Sequence, residues 1–514
     1  MKIRTRLFLS FIATLLLLST VLSLSACKKD ESTAPQGSVN TGGDDPYADD
    51  LPPDLKFENE EIRFLIAEVS GGLGGTFSER SIGIEGYMIG DAGTNTVDEE
   101  VYYRNLAVEE RLGVVIVPHV IENAIILDTV NTQLRSGSGE YDIICGYQAH
   151  DIALASEGLI LNFNNLAQYN ADYVDVEKPY WSKNYSKALS YNNAMYWLTG
   201  DLALRYLGGM YCTFVNLDIY NNALLENYGN IYSLVDNKGW TLEIMSQMIA
   251  QAWIDDGTDE DIPDAGDTLG FVIENIDPLD GMSIGAGVTF SHTDETSGKI
   301  VVNLANDTVN PSAMKFAQAM YEILYNHNQG SFVAPSKHST NSMGLFAQGN
   351  VLFTHDKIFT AEVFLTDMEN YGIIPSPMLD AQQQGYRAGI HDGCSLFGIY
   401  AMSPKVSAAA ATLEAMASMT EKVRVSYYDE ALKHRYSKDP ESSRMIDLIR
   451  DSVYIDFAFA WGRSLNNIHN YFRTAINAKT APGNNTFRKS LSAWNTKMDI
   501  LLTALETQSG LTAE

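Results

Sequence analysis

At 514 residues the chain is too long for a single hydrophobic core and must divide into more than one domain or lobe. Its 65 acidic against 35 Lys and Arg side chains give a formal charge of -30, a surface that repels nucleic acid and anionic lipid and suits a neutral solute better. Four widely spaced cysteines argue against a disulfide framework and against a zinc site.

The first segment is a leader. Lys2, Arg4 and Arg6 precede an apolar run from Leu7 to Leu22, and Leu24-Ser-Ala-Cys27 closes it, the layout of a secretory signal. An apolar run of about 20 residues can also stay as an uncleaved membrane helix, but small residues standing before a cysteine favour cleavage. The Leu-Ser-Ala-Cys ending resembles a bacterial lipobox. That resemblance implies a signal peptide over 1–26, lipidation of Cys27, and a mature protein anchored on the outer face of the cell membrane. Residues 27–56 hold few aliphatics and cannot order themselves by burial, so they read as a tether that sets the body roughly 30 Å from its anchor.

Glu61 to Ala67 reads as a strand, followed by a Gly-rich loop from Ser70 to Gly93. A helix from Asp98 to Leu112 places Val101, Val108 and Leu112 at core spacing and ends at Gly113. Val114 to Val120 is a strand, Ile125 to Arg135 a helix and Tyr141 to Cys145 a short buried strand. This β-α-β-α-β order predicts a mostly parallel sheet flanked by helices, with ligand beyond the carboxyl ends of the strands. Met195 to Leu198 and Leu202 to Asn216 read as strand-rich, Trp240 to Trp253 and Pro311 to Asn326 as helices. Val351 to Thr354, Tyr371 to Ile374 and Ser395 to Ala401 return to strand, and helical patterning runs from Ser403 to Leu505. Cys145, Cys212 and Cys394 each sit beside apolar residues and read as small buried hydrophobes, with one pairing among them left open.

Several passages carry a family resemblance in order. They are Tyr102 to Gly113 with Val114 to Val117, Tyr141-Asp-Ile-Ile144, Ala155-Ser-Glu-Gly-Leu159, Phe214-Val-Asn-Leu-Asp218, Gly239-Trp-Thr-Leu-Glu243, Phe346-Ala-Gln-Gly-Asn350, Tyr371 to Pro377, and Phe472 to Asn477. Together the chain resembles the extracellular solute-binding proteins of ABC importers, of the carbohydrate-binding type. The resemblance implies an α/β, two-lobed periplasmic-binding-protein-like fold of type II with a helical C-terminal part. It places lobe 1 at 57–204 and 355–404, and lobe 2 at 205–354 and 405–514. It further implies a monomer that closes on a sugar or oligosaccharide and hands it to membrane permease subunits, with no enzymatic turnover and no cofactor.

Candidate ligand contacts follow from loop positions. Tyr147 can stack on a sugar face, and Gln148 and His150 can serve hydroxyls, while the neighbouring Asp151 either joins them or caps the next helix. Asp201 can grip adjacent hydroxyls, with Arg205 either beside it on the ligand or fixing it as an ion pair. Asp356, the His391-Asp392 pair, Trp461 and Arg463 complete the set, Trp461 either stacking on sugar or packing in the core. Asp255, Asp259 and Asp261 lie in a dense acidic loop whose oxygens suit calcium, although the EF-hand order is not met. His-Glu-x-x-His and P-loop motifs are absent. Two alternatives remain: a tethered glycoside hydrolase, which needs only two carboxylates, and a sensory lipoprotein that presents ligand to a receptor.

Overall fold

Strand β1 (Glu60–Glu68) buries Ile62, Phe64, Leu65, Ile66 and Ala67, an almost unbroken apolar run. Such a run fits a strand covered on both faces, as in a parallel sheet with helices on either side. The computed structural model describes residues 45–68, 88–93, 96–122, 140–257, 263–304, 309–325, 330–335, 341–435, 439–483 and 486–509, with isolated positions between 123 and 139. The leader, Cys27, the tether up to residue 44, most of the Gly-rich loop and most of the helix expected over 125–135 lie outside the described residues.

Residues 1–48 and 49–514 are separate compact units. Of the first, residues 45–48 form a turn in which the Tyr47 amide donates to Asp45 at 2.9 Å. The second is the body, and it begins before residue 57. Arg111 grips Asp49 through two contacts of 2.5 Å, the Ser418 hydroxyl donates to Asp49 at 2.6 Å, Lys178 pairs with Asp50 and Leu51 is buried. The expected tether is therefore corrected at its end. A polar segment cannot order itself by burial, but charges on the body can hold it.

Helix α1 (Thr96–Leu112) packs Val97, Val101, Val108 and Leu112 inward. Gly113, at φ +61, turns the chain directly into β2 (Val114–Glu122), a left-handed conformation that a side chain would resist. Next come β3 (Ile143–Tyr147) and β4 (Tyr211–Asn216). The strand expected over 202–216 is confined to β4, because Leu204–Gly208 coils into a short helix; Leu198 makes only a single bridge to Phe397.

Helix α2 (Leu242–Ala252) starts at Thr241, whose hydroxyl accepts the Ile244 amide, and buries Leu242, Met245, Met248, Ile249 and Ala252. It leads through β5 (Leu269–Glu274), α3 (Asp277–Gly285), the hairpin β6 (Ser291–Thr293) and β7 (Ile300–Val302), and α4 (Pro311–Tyr325). Strands β8 (Ser331–Ala334), β9 (Val351–Lys357), β10 (Tyr371–Ile374) and β11 (Ser395–Ile399) precede helices α5 (Val406–Ser418), α6 (Pro440–Asp451), α7 (Ile468–Asn477) and α8 (Leu491–Gln508).

The first sheet has the order β11-β3-β1-β2, with β1 parallel to β2 and β3 and β11 antiparallel. The second has the order β10-β4-β9-β5-β8 and is mixed: β5 runs parallel to β8 and β9, while β4 is antiparallel to β9 and β10. The segment 355–404, expected in one lobe, is thus divided, since β10 joins the second sheet and β11 the first. The C-terminal helices divide too. Helix α5 packs on α1, β1 and β11, whereas α6 packs on β10 and α7 on α3 and α4. Buried strands of either sheet carry the same apolar pattern, so only pairing decides where each belongs.

Two crossing segments lie side by side. The Tyr211 amide donates to Gly389 at 2.9 Å and the His391 amide to Gly209 at 3.0 Å. Helix α8 reaches from one lobe to the other: Asn495 accepts the Val302 amide on β7 at 2.8 Å, and the carbonyl of Leu505 accepts the Tyr196 hydroxyl at 2.8 Å. Cys145, Cys212 and Cys394 are buried and unpaired. No helix among the described residues is long and apolar enough to cross a membrane.

Candidate ligand cleft

The carboxyl end of β3 is shaped by a close approach. A Cβ on Gly146 would stand 2.3 Å from the Asp151 carboxylate, which folds back to accept the Tyr147 amide at 2.7 Å. Asp151 therefore neither caps the helix nor faces ligand; burial pushes its carboxyl up to about 7 against the pull of that amide and of Arg463. Gln148 is fully buried and accepts the Tyr185 hydroxyl at 2.5 Å. The next residue but one, His150, emerges into open space.

That space is a cleft of about 390 Å³. The loop before β11 lines it with His391 and Asp392, the start of α3 with Asp277, and the stretch from Phe459 to Arg473 with Arg463, Asn467, His469, Asn470 and Arg473. Four of the ten expected contacts line it: His150, His391, Asp392 and Arg463.

The other six stand behind its walls. The Arg205 guanidinium covers the Tyr147 ring at 5.1 Å, and Tyr147 is 4% exposed, so its face is not available for stacking. Asp201 is buried and holds Arg450 at 2.7 Å and Arg424 at 3.6 Å. Trp461 is wholly buried, stacks on Phe457 and donates its indole N–H to Leu189 at 3.2 Å. The expected stacking platforms are thus corrected to core and support, because each ring's area is already spent on protein.

Asp356 is buried next to Lys357, whose ammonium lies 3.0 Å from it and 2.5 Å from Asp277. Tyr211 donates to Asp277 at 3.0 Å and the His391 Nε2 stands 3.4 Å away. Burial opposes ionisation of Asp277, yet Lys357 and His391 outweigh it and hold the carboxyl below its ordinary range. The His391 Nδ1 accepts the Gly393 amide at 2.9 Å, which leaves the proton on Nε2 facing Asp277. Burial pulls His391 down to about 4, with Asp392 and Asp277 opposing and Lys357 assisting. His469 falls to about 4 by burial too, against the pull of Asp392.

The composition of α7 hides part of the wall. Asn467, Asn470 and Arg473 recur every three residues along one face while Ile468, Phe472 and Ile476 bury the other. That polar stripe is legible in the sequence; nothing there marks Asp277.

The candidate calcium loop fares differently. Asp259 and Asp261 lie outside the described residues. Asp255, Asp256 and Asp267 do bring carboxylates together, but Asp267 already accepts the Trp253 indole at 3.0 Å and the Asp256 amide at 2.9 Å. Its oxygens serve the loop.

No protein-family model matches the chain, and no curated protein matches it in sequence. Solved structures do match. The galacto-N-biose-/lacto-N-biose I-binding protein of the ABC transporter from Bifidobacterium longum, in complex with lacto-N-biose, aligns at TM-score 0.54 with 12% identity, over 88% of this chain and 99% of that one. A cyclo/maltodextrin-binding protein complexed with maltotetraose aligns at 0.52 with 12% identity, over 89% and 100%. An ABC substrate-binding protein from Listeria monocytogenes in complex with cycloalternan aligns at 0.51 with 10% identity, over 86% and 98%. The chain therefore has the two-lobed α/β fold of the periplasmic-type solute-binding proteins.

Proposed function

We propose that the protein captures a sugar or oligosaccharide in this cleft and delivers it, unaltered, to the membrane subunits of an ABC importer. The observation that carries the reading is a polar cleft walled by both lobes, in a fold whose structural neighbours hold lacto-N-biose, maltotetraose and cycloalternan. Charged and amide side chains at that cleft can exchange hydrogen bonds with hydroxyls in both directions. Closure would gain its free energy from contacts made only when both walls meet the ligand. In the same reading the leader is removed, a diacylglyceryl group on Cys27 anchors the protein at the outer membrane face, and the body works without metal.

A thermal-shift screen of mono- and oligosaccharides, followed by calorimetry, tests it. A binding sugar should raise the melting temperature and be recovered intact. Release of shorter sugars would replace the binder with a hydrolase, and a flat screen across all sugars would end the reading. For the anchor, Cys27→Ser should abolish membrane partition of the processed protein; normal partition would refute it.

A further inference from the structure

The donors of the cleft bear on the charge of its ligand, and the inference rests on the sugar-binding reading above. In so acidic a chain, basic side chains readily find carboxylates: Arg473 holds Asp280 at 3.2 Å, Arg450 and Arg424 share Asp201, and Arg444 pairs with Asp236 and Glu441. Arg463 is exposed in the cleft and forms no ion pair with any carboxylate among the described residues. Its one hydrogen bond joins Nη1 to Nδ1 of His150 at 3.2 Å, which leaves the remaining guanidinium N–H groups open to the cleft. Because His150 accepts at Nδ1, its proton sits on Nε2, and the pair presents donors only.

The neighbouring groups lean the same way. The Asn470 carbonyl is taken by Arg473, so its free group is the NH2 donor. Among the acceptors, Asp277 already serves Lys357, Tyr211 and His391, and Asp280 serves Arg473. Asp392 is left to receive hydroxyls. A planar fork of donors beside a second donor matches a carboxylate or phosphate oxygen pair far better than a neutral hydroxyl.

We infer that the cleft takes an anionic sugar, its carboxylate or phosphate seated between Arg463 and His150 and its hydroxyls on Asp392 and Asn467. The acid group would be recognised as charge and as a bidentate shape together.

Matched sets test this by calorimetry at low and high salt: glucose, glucuronate and glucose 6-phosphate, the corresponding galactose series, and neutral disaccharides against their uronate-bearing counterparts. An acidic member should bind roughly 10- to 100-fold tighter than its neutral parent, with the gap narrowing in salt. The uronate and phosphate arms identify which anion is preferred. Arg463→Gln should bring the acidic member down to its parent's affinity, whereas Lys422→Gln, on the exposed surface, should keep the gap. Equal affinity for acid and parent would overturn the charge assignment and leave sugar binding standing. A persisting gap in R463Q would overturn the seat, and absence of binding by every member would overturn both readings.

Discussion

One buried ammonium holds two carboxylates: Lys357 lies 2.5 Å from the half-buried Asp277 and 3.0 Å from the buried Asp356, tying the end of β9 to the start of α3 at the wall of the cleft. Burial alone would lower the Lys357 pKa, and the two acids together carry it above its ordinary value. Lys357→Met leaves both acids without their cation, and removing one partner of a buried pair costs about 3–5 kcal/mol. Urea denaturation should show that loss. A midpoint unchanged from wild type would mean that water, not Lys357, compensates Asp277.

Trp461→Ala should lower stability by about 3–5 kcal/mol, as for a large core side chain. The affinity of the folded fraction for any sugar that binds the wild type should change little. A variant of normal stability and lost affinity would return Trp461 to the ligand surface.

Asp201→Asn removes the charge that Arg450 and Arg424 share. The expected result is a loss of about 3 kcal/mol in stability, with sugar affinity kept. Calorimetry on the folded variant separates this from a direct contact, for which affinity would fall first.

Glu414 offers a pH test away from the cleft. Burial raises its carboxyl to about 7, while the hydroxyl of Tyr180 and the indole of Trp181 pull it down. A group whose folded pKa is raised contributes stability that is whole below its unfolded pKa, here 4.5, and is lost as pH rises through about 7. Wild type should therefore gain stability relative to Glu414→Gln when pH falls from 8 to 5, by at most about 3 kcal/mol. Parallel urea curves for the two proteins across that range would contradict it.

Calcium should leave the melting temperature unaltered at millimolar concentration, because the Asp267 oxygens are occupied by N–H donors of their own loop. A calcium-dependent rise that Asp267→Asn abolishes would establish a metal site there.

The legible parts of the sequence are those that repeat. The apolar run of β1, the spacing in α1 with Gly113 behind it, and α2 after Thr241 all announce themselves by local rules. Strand β5 does not: Gly270 interrupts a run of six residues, too short to separate from a buried turn. In the cleft, glycine-flanked His391 and Asp392 and the loop residue His150 are visible because polar residues stand where a strand ends. Tyr147 and Trp461 mislead for one shared reason: an aromatic ring looks the same in sequence whether protein or a sugar lies on its face. Asp277 is silent in the sequence because its meaning comes from Lys357, 80 residues away.

Helix α8 has a mechanical consequence. A rod of 18 residues, about 27 Å long, is bonded near its start to the β7 hairpin and near its end to Tyr196. Lobes joined only by flexible crossings can swing wide, but a strut fastened at both ends turns that swing into a short arc unless one fastening lets go. Any opening that parts Val302 from Tyr196 has to stretch or break one of these two hydrogen bonds, and neither Asn495 nor Tyr196 lines the cleft.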